Sequence, residues 1–300
     1  MKKIGSILFL LFVLIISCRS KKQVVYKNEV SYIPYYLKVY EADSLFVLKE
    51  YSKSYSILDS LFKEYQPVNL IIYDEVLSYI KLKIILNKKI KDKELLRLIS
   101  FYGYNKEFIS NDSIFKSTKK QNLLLSNYES LRAIYINNID LKLRNEIKGM
   151  KSEDQFYRKN DYESNIDKQT VIDLKNQKRI MEIFDNYGFP NQKKTGVYNI
   201  DKSDTDTTVI LLHTKDSVRK QYFMPKIYEY VKLGEASPEL YANLYDQFLL
   251  YNGKEQYYGS YENKVEIPIN ELNKRRKKIG LPSYGYEEWR SRKLYPQFFK

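Results

Sequence analysis

The sequence predicts a mainly α fold, with helical hairpins packed on a mostly helical carboxy-terminal domain that contains a small β-hairpin. Apolar residues recur at intervals of three and four along much of the 300-residue chain, as they do on one face of a helix. Two short runs, at residues 256–261 and 264–267, are separated by a polar turn, which is typical of a hairpin. An apolar content of 43%, with 30 Tyr, is enough to build a packed core.

Residues 1–17 have the pattern of a secretory signal peptide. A basic start is followed by an apolar run from residue 4 to 16, which is shorter than the ~20 residues of a membrane-spanning helix. The run ends in Ile-Ile-Ser-Cys at residues 15–18, which resembles the lipobox of bacterial lipoproteins. This pattern predicts cleavage before Cys18 and lipidation of its thiol and of the new amino terminus. The alternative is an ordinary signal peptide or an uncleaved anchor, with Cys18 incidental.

Cys18 is the only cysteine, so the mature chain has no disulfide and its stability must come from its core. Residues 18–36 are predicted to be a tether, which starts with the polar run Arg19–Gln23 and lacks the acidic cluster that some surface lipoproteins carry there. This favours the periplasmic face of the outer membrane. We therefore expect a cell-envelope protein held on the lipid bilayer through acylated Cys18, with a second envelope protein as a candidate partner.

The chain is basic, with a formal charge of +14. Its densest basic cluster, residues 274–278, is most simply a solvated helix face; attraction to anionic lipid head groups is the functional alternative. Nucleic acid is not expected as a partner, because an exported protein meets little of it.

Residues 37–139 are predicted to form a helical, repeat-like region. Apolar spacing indicates one long helix or a helix pair over residues 38–65, ended by Gln66-Pro67. Further apolar stripes follow at residues 70–84 and 95–102.

Parts of this region resemble degenerate tetratricopeptide repeats. Residues 49–55 are similar to the first helix of such a hairpin, and residues 101–104 and 111–115 are similar to the closing part of a repeat. The resemblance implies stacked helix pairs, which often bind a partner on their concave side. A plain helical spacer without a ligand is the alternative.

Residues 140–300 are predicted to be a second, mostly helical domain. Ser237-Pro238-Glu239 is a strong helix start, with a capping hydroxyl, Pro at the first helical position and an acid in the first turn. Residues 209–213 fit a short helix or a buried strand. Further helices are expected from Asp173 to Tyr187 and from Asn270 to Gly280, with a loop at residues 159–170.

An ordered series of short segments runs through this domain. The segments are Asp154-Gln155 with Arg158, Asp173–Asn176, Tyr187–Pro190, Gly196, Leu211–Asp216, Gln221, Gly234-Glu235, Tyr241–Asp246, Gly253–Gly259, and Arg276 with Ile279–Leu281. In this order they resemble the uncharacterised family called domain of unknown function 6624, over residues 140–290. The resemblance implies a domain and no reaction, because the family has no established activity.

The chain departs from the family pattern at two places. Gln247 stands where an Arg usually follows the Asp, and Ser260-Tyr261 replace a Thr-Gln pair. A charged site in the family would be weakened or altered in this chain.

His213 is the only histidine, so a zinc site would have to be completed by carboxylates alone. No metal and no cofactor are therefore expected. As a general base, His213 would need a carboxylate to orient it and a nucleophile, and Asp216, Asp246 and Gln256 are the polar candidates. Asp154 and Arg158 complete the candidate pocket. The simplest interpretation is a buried histidine and an ion-pair network that hold helices together.

Three functions remain open from the sequence. The first is a membrane-tethered binding or scaffold protein, which is not expected to be an enzyme. Another is a purely structural spacer between the outer membrane and a partner complex. The alternative is a periplasmic hydrolase or lyase that uses His213 and Asp246. The sequence contains no phosphate loop, nucleophile elbow or paired-cysteine motif.

Overall fold

The computed structural model describes residues 30–261 and 265–299. The predicted signal peptide, Cys18 and most of the predicted tether lie outside the described residues. The predicted mainly α fold is confirmed, since all regular secondary structure in the described part of the chain is helical. Within that part, no helix combines the length and the apolar character needed to cross a membrane.

The first two helices form a hairpin. Helices α1 (Ile33–Val47) and α2 (Tyr51–Glu64) are separated by a turn in which Lys49 has a φ of 64°. The apolar pattern of residues 38–65 is therefore a helix pair and not one long helix. The Ser54 hydroxyl donates a 2.7 Å hydrogen bond to the Ala42 carbonyl, which shows how closely two small residues let the helices approach.

Six further helices complete the amino-terminal half, and several of them are short. Asp112 caps one of these, since its carboxylate accepts hydrogen bonds from the backbone N–H groups of Ile114 and Phe115. Their bounds are α3 (Glu75–Ile85), α4 (Asp92–Ser100), α5 (Lys106–Asn111), α6 (Ser113–Lys116), α7 (Lys120–Ser126) and α8 (Tyr128–Asn137).

The carboxy-terminal half is built on two long helices that pack together, α9 (Leu141–Lys159) and α10 (Ile166–Tyr187). Asp173, expected at a helix start, instead lies inside α10, which begins before it. Further helices are α11 (Gln192–Thr195), α12 (Thr208–Leu212), α13 (Asp216–Val218), a π-helical turn (Arg219–Phe223), α14 (Met224–Lys232), α15 (Pro238–Tyr251), α16 (Ile269–Lys278) and α17 (Tyr286–Leu294); 3-10 turns lie at Glu163–Asn165, Tyr198–Ile200 and Pro296–Phe299.

Two large hydrophobic cores and one small core lie among the described helices. One large core unites α1, α2 and part of α3 with residues of α9, α10, α12, α14 and α15, and the other large core lies among α3 to α8. The small core consists of Ala242, Tyr258, Ile279 and Leu281. Tyr36 of α1 is fully buried and its hydroxyl donates to the carbonyls of Val231 (2.9 Å) and Ala236 (3.1 Å). Helix α1 therefore belongs to the same core as the carboxy-terminal helices.

The predicted β-hairpin is not formed in the described residues: residues 256–261 and 265–267 contain no strand. The backbone N–H groups of Tyr257, Tyr258 and Ser260 donate to the Asp246 carboxylate, so a side chain takes the place of a partner strand. Gly259 has a φ of 63°, which also breaks the extended conformation that a strand needs.

Candidate functional site

The six candidate residues fall into three groups. In the first, both carboxylate oxygens of Asp154 on α9 lie 3.0 Å from His213 Nδ1. The Asp154 side chain is 1% exposed, while the His213 side chain is 24% exposed. A buried carboxylate therefore fixes the orientation of a histidine that reaches the surface.

His213 occupies the position directly after α12. This helix starts where it does because the Asp206 carboxylate accepts hydrogen bonds from both the backbone N–H (2.9 Å) and the hydroxyl of Thr208. Residues 209–213 thus adopt the helical alternative and not the strand. Among the described residues, none hydrogen-bonds to His213 Nε2, so this nitrogen remains available.

Arg158 connects the same site to helix α10 through hydrogen bonds. Its guanidinium donates to both carboxylate oxygens of Asp173, at 3.0 and 2.6 Å, and to the Asp154 backbone carbonyl at 2.7 Å. Gln169 adds a 2.8 Å hydrogen bond to Asp173. These bonds form a partly buried network, with Asp173 as the ion-pair partner of the arginine.

Helix α10 also holds the loop that follows His213. The Gln177 side-chain oxygen accepts a 2.8 Å hydrogen bond from the Lys215 backbone N–H. Three buried side-chain oxygens on the elements around the site have no hydrogen-bond partner: Gln169 Oε1, Asn176 Oδ1 and Thr207 Oγ1. Buried oxygens without partners are sites for ordered water or for a polar ligand group.

Asp216 belongs to the second group, which is centred on Arg219. Arg219 is 1% exposed and donates to the Leu212 carbonyl at 2.6 Å, to the Asp216 carboxylate and to Gln247 Oε1. Gln247, at the position where the resembled family usually has an Arg, therefore accepts from a buried arginine. Arg219 therefore links the turn between α12 and α13 to Gln247 of α15.

Asp246 and Gln256 form the third group, and neither hydrogen-bonds to His213. The Asp246 carboxylate accepts from Tyr257 N (2.7 Å), Tyr258 N (3.0 Å) and Ser260 N (2.9 Å), and Gln256 Oε1 accepts from Tyr261 N (2.7 Å). Both side chains therefore shape the segment 256–261 that follows α15. They are structural residues of a loop in this arrangement.

The structure thus brings Asp154, Arg158 and His213 together and leaves Asp216, Asp246 and Gln256 elsewhere. Sequence reasoning missed Gln177 and Arg219. The signal for Arg219 was a lone arginine three residues after an acid, the spacing at which two side chains meet on a helix. Gln177 had a weaker signal, since it follows Asp173 by one helical turn.

An imidazole held through Nδ1 and open at Nε2 can accept a hydrogen bond or a proton there. This is also the geometry of a general base oriented by a carboxylate. In the described residues, no hydroxyl, thiol or amine side chain hydrogen-bonds to Nε2, and no group of three or more His, Cys, Asp or Glu is placed to hold a metal ion. The arrangement can recognise a polar group at Nε2.

Comparison of the chain with protein-family models, curated proteins and solved structures finds no match. The resemblance of residues 140–290 to domain of unknown function 6624 stays a prediction.

Proposed function

We propose that this protein is a lipoprotein of the bacterial cell envelope, anchored through Cys18 to the periplasmic face of the outer membrane, whose helical body binds a polar partner at His213. The lipobox-like sequence at residues 15–18 supports the anchor. The observation that carries the binding function is the contrast between the two imidazole nitrogens: buried Asp154 engages Nδ1, while Nε2 is open.

The surroundings of His213 support binding. Arg158 and Asp173 make a two-bond ion pair beside it, so the site is held rigid before any ligand arrives. A preorganised donor and acceptor set lowers the ordering cost of binding. The partner recognised at Nε2 is a group with a hydrogen-bond donor, such as a hydroxyl, an amide or an ammonium.

A hydrolase or lyase remains the second candidate, because an Asp–His pair with an open Nε2 can activate a water molecule. In this version Asp154, and not Asp246, is the residue that orients His213. Hydrolysis of a panel of ester, amide and phosphate model substrates tests it. Activity that requires both His213 and Asp154 would favour the enzyme.

Binding is tested by affinity capture from detergent-solubilised envelope, with the wild-type protein compared with His213→Ala. Ser217→Ala is the matched control, because Ser217 is an exposed residue close in sequence to the same turn. We expect a bound component that the wild-type protein and Ser217→Ala retain and His213→Ala loses. Equal recovery with all three proteins would remove His213 from the binding site.

The anchor is tested separately by Cys18→Ala. We expect loss of the lipid-dependent membrane fraction, or accumulation of uncleaved precursor, in cell fractionation. Unchanged membrane retention with unchanged size would contradict lipidation.

A further inference from the structure

We propose that the carboxy-terminal surface of this protein docks on an anionic phospholipid bilayer. This surface is defined by three exposed lysines and three exposed aromatic residues of residues 269–299: Lys277, Lys278, Lys293, Tyr295, Phe298 and Phe299. The proposal goes beyond the lipid anchor, since it requires no lipid on Cys18.

The surface is presented by a rigid attachment to the body. Asp43 of α1 accepts hydrogen bonds from the Tyr286 hydroxyl (2.7 Å) and from Arg290 Nε (2.7 Å), which fixes one side of α17. Tyr286 also donates to the Tyr40 carbonyl at 3.1 Å. Residues 292–299, which include the end of α17, are exposed. Helix α17 is therefore held by α1 while the chain after it faces solvent.

Exposed aromatic residues are concentrated after α17. Phe298 is 77% exposed, Tyr295 is 51% exposed and Phe299 is 42% exposed. The Arg292 guanidinium lies 4.9 Å from the centre of the Phe299 ring. Aromatic rings beside basic side chains suit the boundary between head groups and acyl chains, where the rings are buried and the charges stay near phosphate.

The positive charge of this region favours a bilayer that contains anionic lipid. Residues 269–299 contain eight Lys or Arg and three Asp or Glu, a formal charge of +5. Arg276 is not part of the surface, because it is buried and donates to the carbonyls of Tyr258 (2.8 Å) and Pro282 (2.7 Å). The neighbouring Lys274, Lys277 and Lys278 are exposed. The exposed basic side chains of this region attract anionic lipid.

A second set of exposed apolar residues lies where the charge is negative. The end of α9 exposes Phe156 (57%) and the start of α10 exposes Ile166 (49%). Residues 153–175 contain four Lys or Arg and six Asp or Glu, so the charge there is −2. Residues 269–299 combine a positive formal charge with exposed aromatic rings, whereas residues 153–175 are negative, which makes Phe156 a suitable control position.

The test uses residues 31–300, which form one compact unit that contains both large cores and lacks Cys18. The protein is mixed with vesicles of phosphatidylcholine alone or of phosphatidylcholine with phosphatidylglycerol, and the bound fraction is measured by sedimentation. Trp289, the only tryptophan, lies on α17, so its fluorescence reports contact of this segment with lipid. We expect binding that requires phosphatidylglycerol, is weakened by salt and shifts Trp289 emission to shorter wavelength.

Variants locate the contact. Lys277→Gln with Lys278→Gln should weaken binding roughly 30-fold, because each basic residue near the membrane contributes about a fivefold factor. Phe298→Ala with Phe299→Ala should weaken it roughly tenfold or more through lost apolar insertion. Phe156→Ala should bind as the wild-type protein does.

Three results would overturn the proposal: no binding to either vesicle, equal binding to both, or binding that Phe156→Ala weakens as much as the carboxy-terminal variants do. If the protein binds a purified envelope protein through these residues and does not bind vesicles, the surface is assigned to a protein partner instead. Because the tested chain lacks Cys18, a negative result leaves the lipid anchor and the His213 site unaffected.

Discussion

His213 and Asp154 define the site at the scale of single residues. The acceptor oxygens of Asp154 lie 3.0 Å from Nδ1, so the neutral imidazole should carry its proton on Nδ1 and leave Nε2 bare. Since the chain has one histidine, ¹⁵N-labelled histidine gives the spectrum of this side chain alone. We expect nitrogen chemical shifts of the Nδ1–H tautomer, and a mixture of tautomers in Asp154→Ala. A dominant Nε2–H form in the wild-type protein would contradict the hydrogen bond.

Glu75 gives the protein a pH-dependent stability. Its carboxylate is 2% exposed and accepts from the Tyr35 hydroxyl (2.7 Å) and from the backbone N–H of Leu70 (2.8 Å). Burial raises its pKa from an ordinary value of 4.5 to about 7, despite these hydrogen bonds. The folded state therefore binds a proton that the unfolded state releases between these values, and Glu75 stabilises the fold less as pH rises through this window.

The predicted contribution of Glu75 is about 3 kcal/mol of unfolding free energy, lost between pH 4.5 and 7. Glu75→Gln cannot ionise, so the difference in unfolding free energy between pH 5 and pH 8 should shrink by about that amount. Urea denaturation at the two pH values measures it. The other titrating groups contribute equally to both proteins, so their effect cancels in this comparison. Parallel profiles of unfolding free energy against pH for the two proteins would show that Glu75 does not titrate in this range.

The pairing of Asp154 with His213 was beyond sequence reasoning. Both residues could be picked out, but 59 positions separate them and their contact depends on how α12 sits on α9. The sequence suggests Asp246 as the partner, because it is a polar residue of the series that resembles domain of unknown function 6624. The hydrogen bonds that its carboxylate accepts from backbone N–H groups depend on the conformation of a loop. The spacing of apolar residues does not predict that conformation.

At the scale of elements, the helices could be predicted because their signals are local. Ser237 caps α15 by accepting a hydrogen bond from the Leu240 N–H, as its position before Pro238 indicates. The hairpin prediction failed because β-prone residues at 256–261 do not reveal a competing acceptor. Asp246 satisfies three backbone N–H groups at once, and that removes the need for a partner strand.

Asp246 should therefore matter for stability more than His213 does. Asp246→Ala leaves three backbone donors without their acceptor, and we expect a loss of roughly 3 kcal/mol or more in unfolding free energy. His213→Ala, at a partly exposed side chain, should change it by about 1 kcal/mol or less. Urea denaturation of both variants gives the comparison. If the two losses are equal, Asp246 is not the residue that holds the loop.

At the scale of the whole molecule, α1 completes the carboxy-terminal core. Tyr35, Tyr36 and Val39 are each at most 1% exposed, and the Tyr36 hydroxyl binds one carbonyl of α14 and one of the segment after it. A fragment of residues 140–300 lacks these side chains. We expect it to melt without a sharp transition, because its core has lost part of its apolar filling and the hydroxyl that donates to these two carbonyls.

Circular dichroism during heating measures this directly. Addition of a separately produced fragment of residues 31–139 should restore a cooperative transition, since it supplies α1 together with α2. Cooperative melting of residues 140–300 alone would show that α1 is not needed for folding of that half.

The position of α1 also constrains the order in which the chain folds. Tyr36 is made early in synthesis, yet its two acceptors lie 195 and 200 residues later. Contacts so distant along the chain close slowly, because a long loop must lose entropy before the contact forms. The part of the first helix that carries Tyr36 therefore stays uncovered until most of the chain has been synthesised. We expect incomplete chains of this protein to be prone to aggregation during that interval.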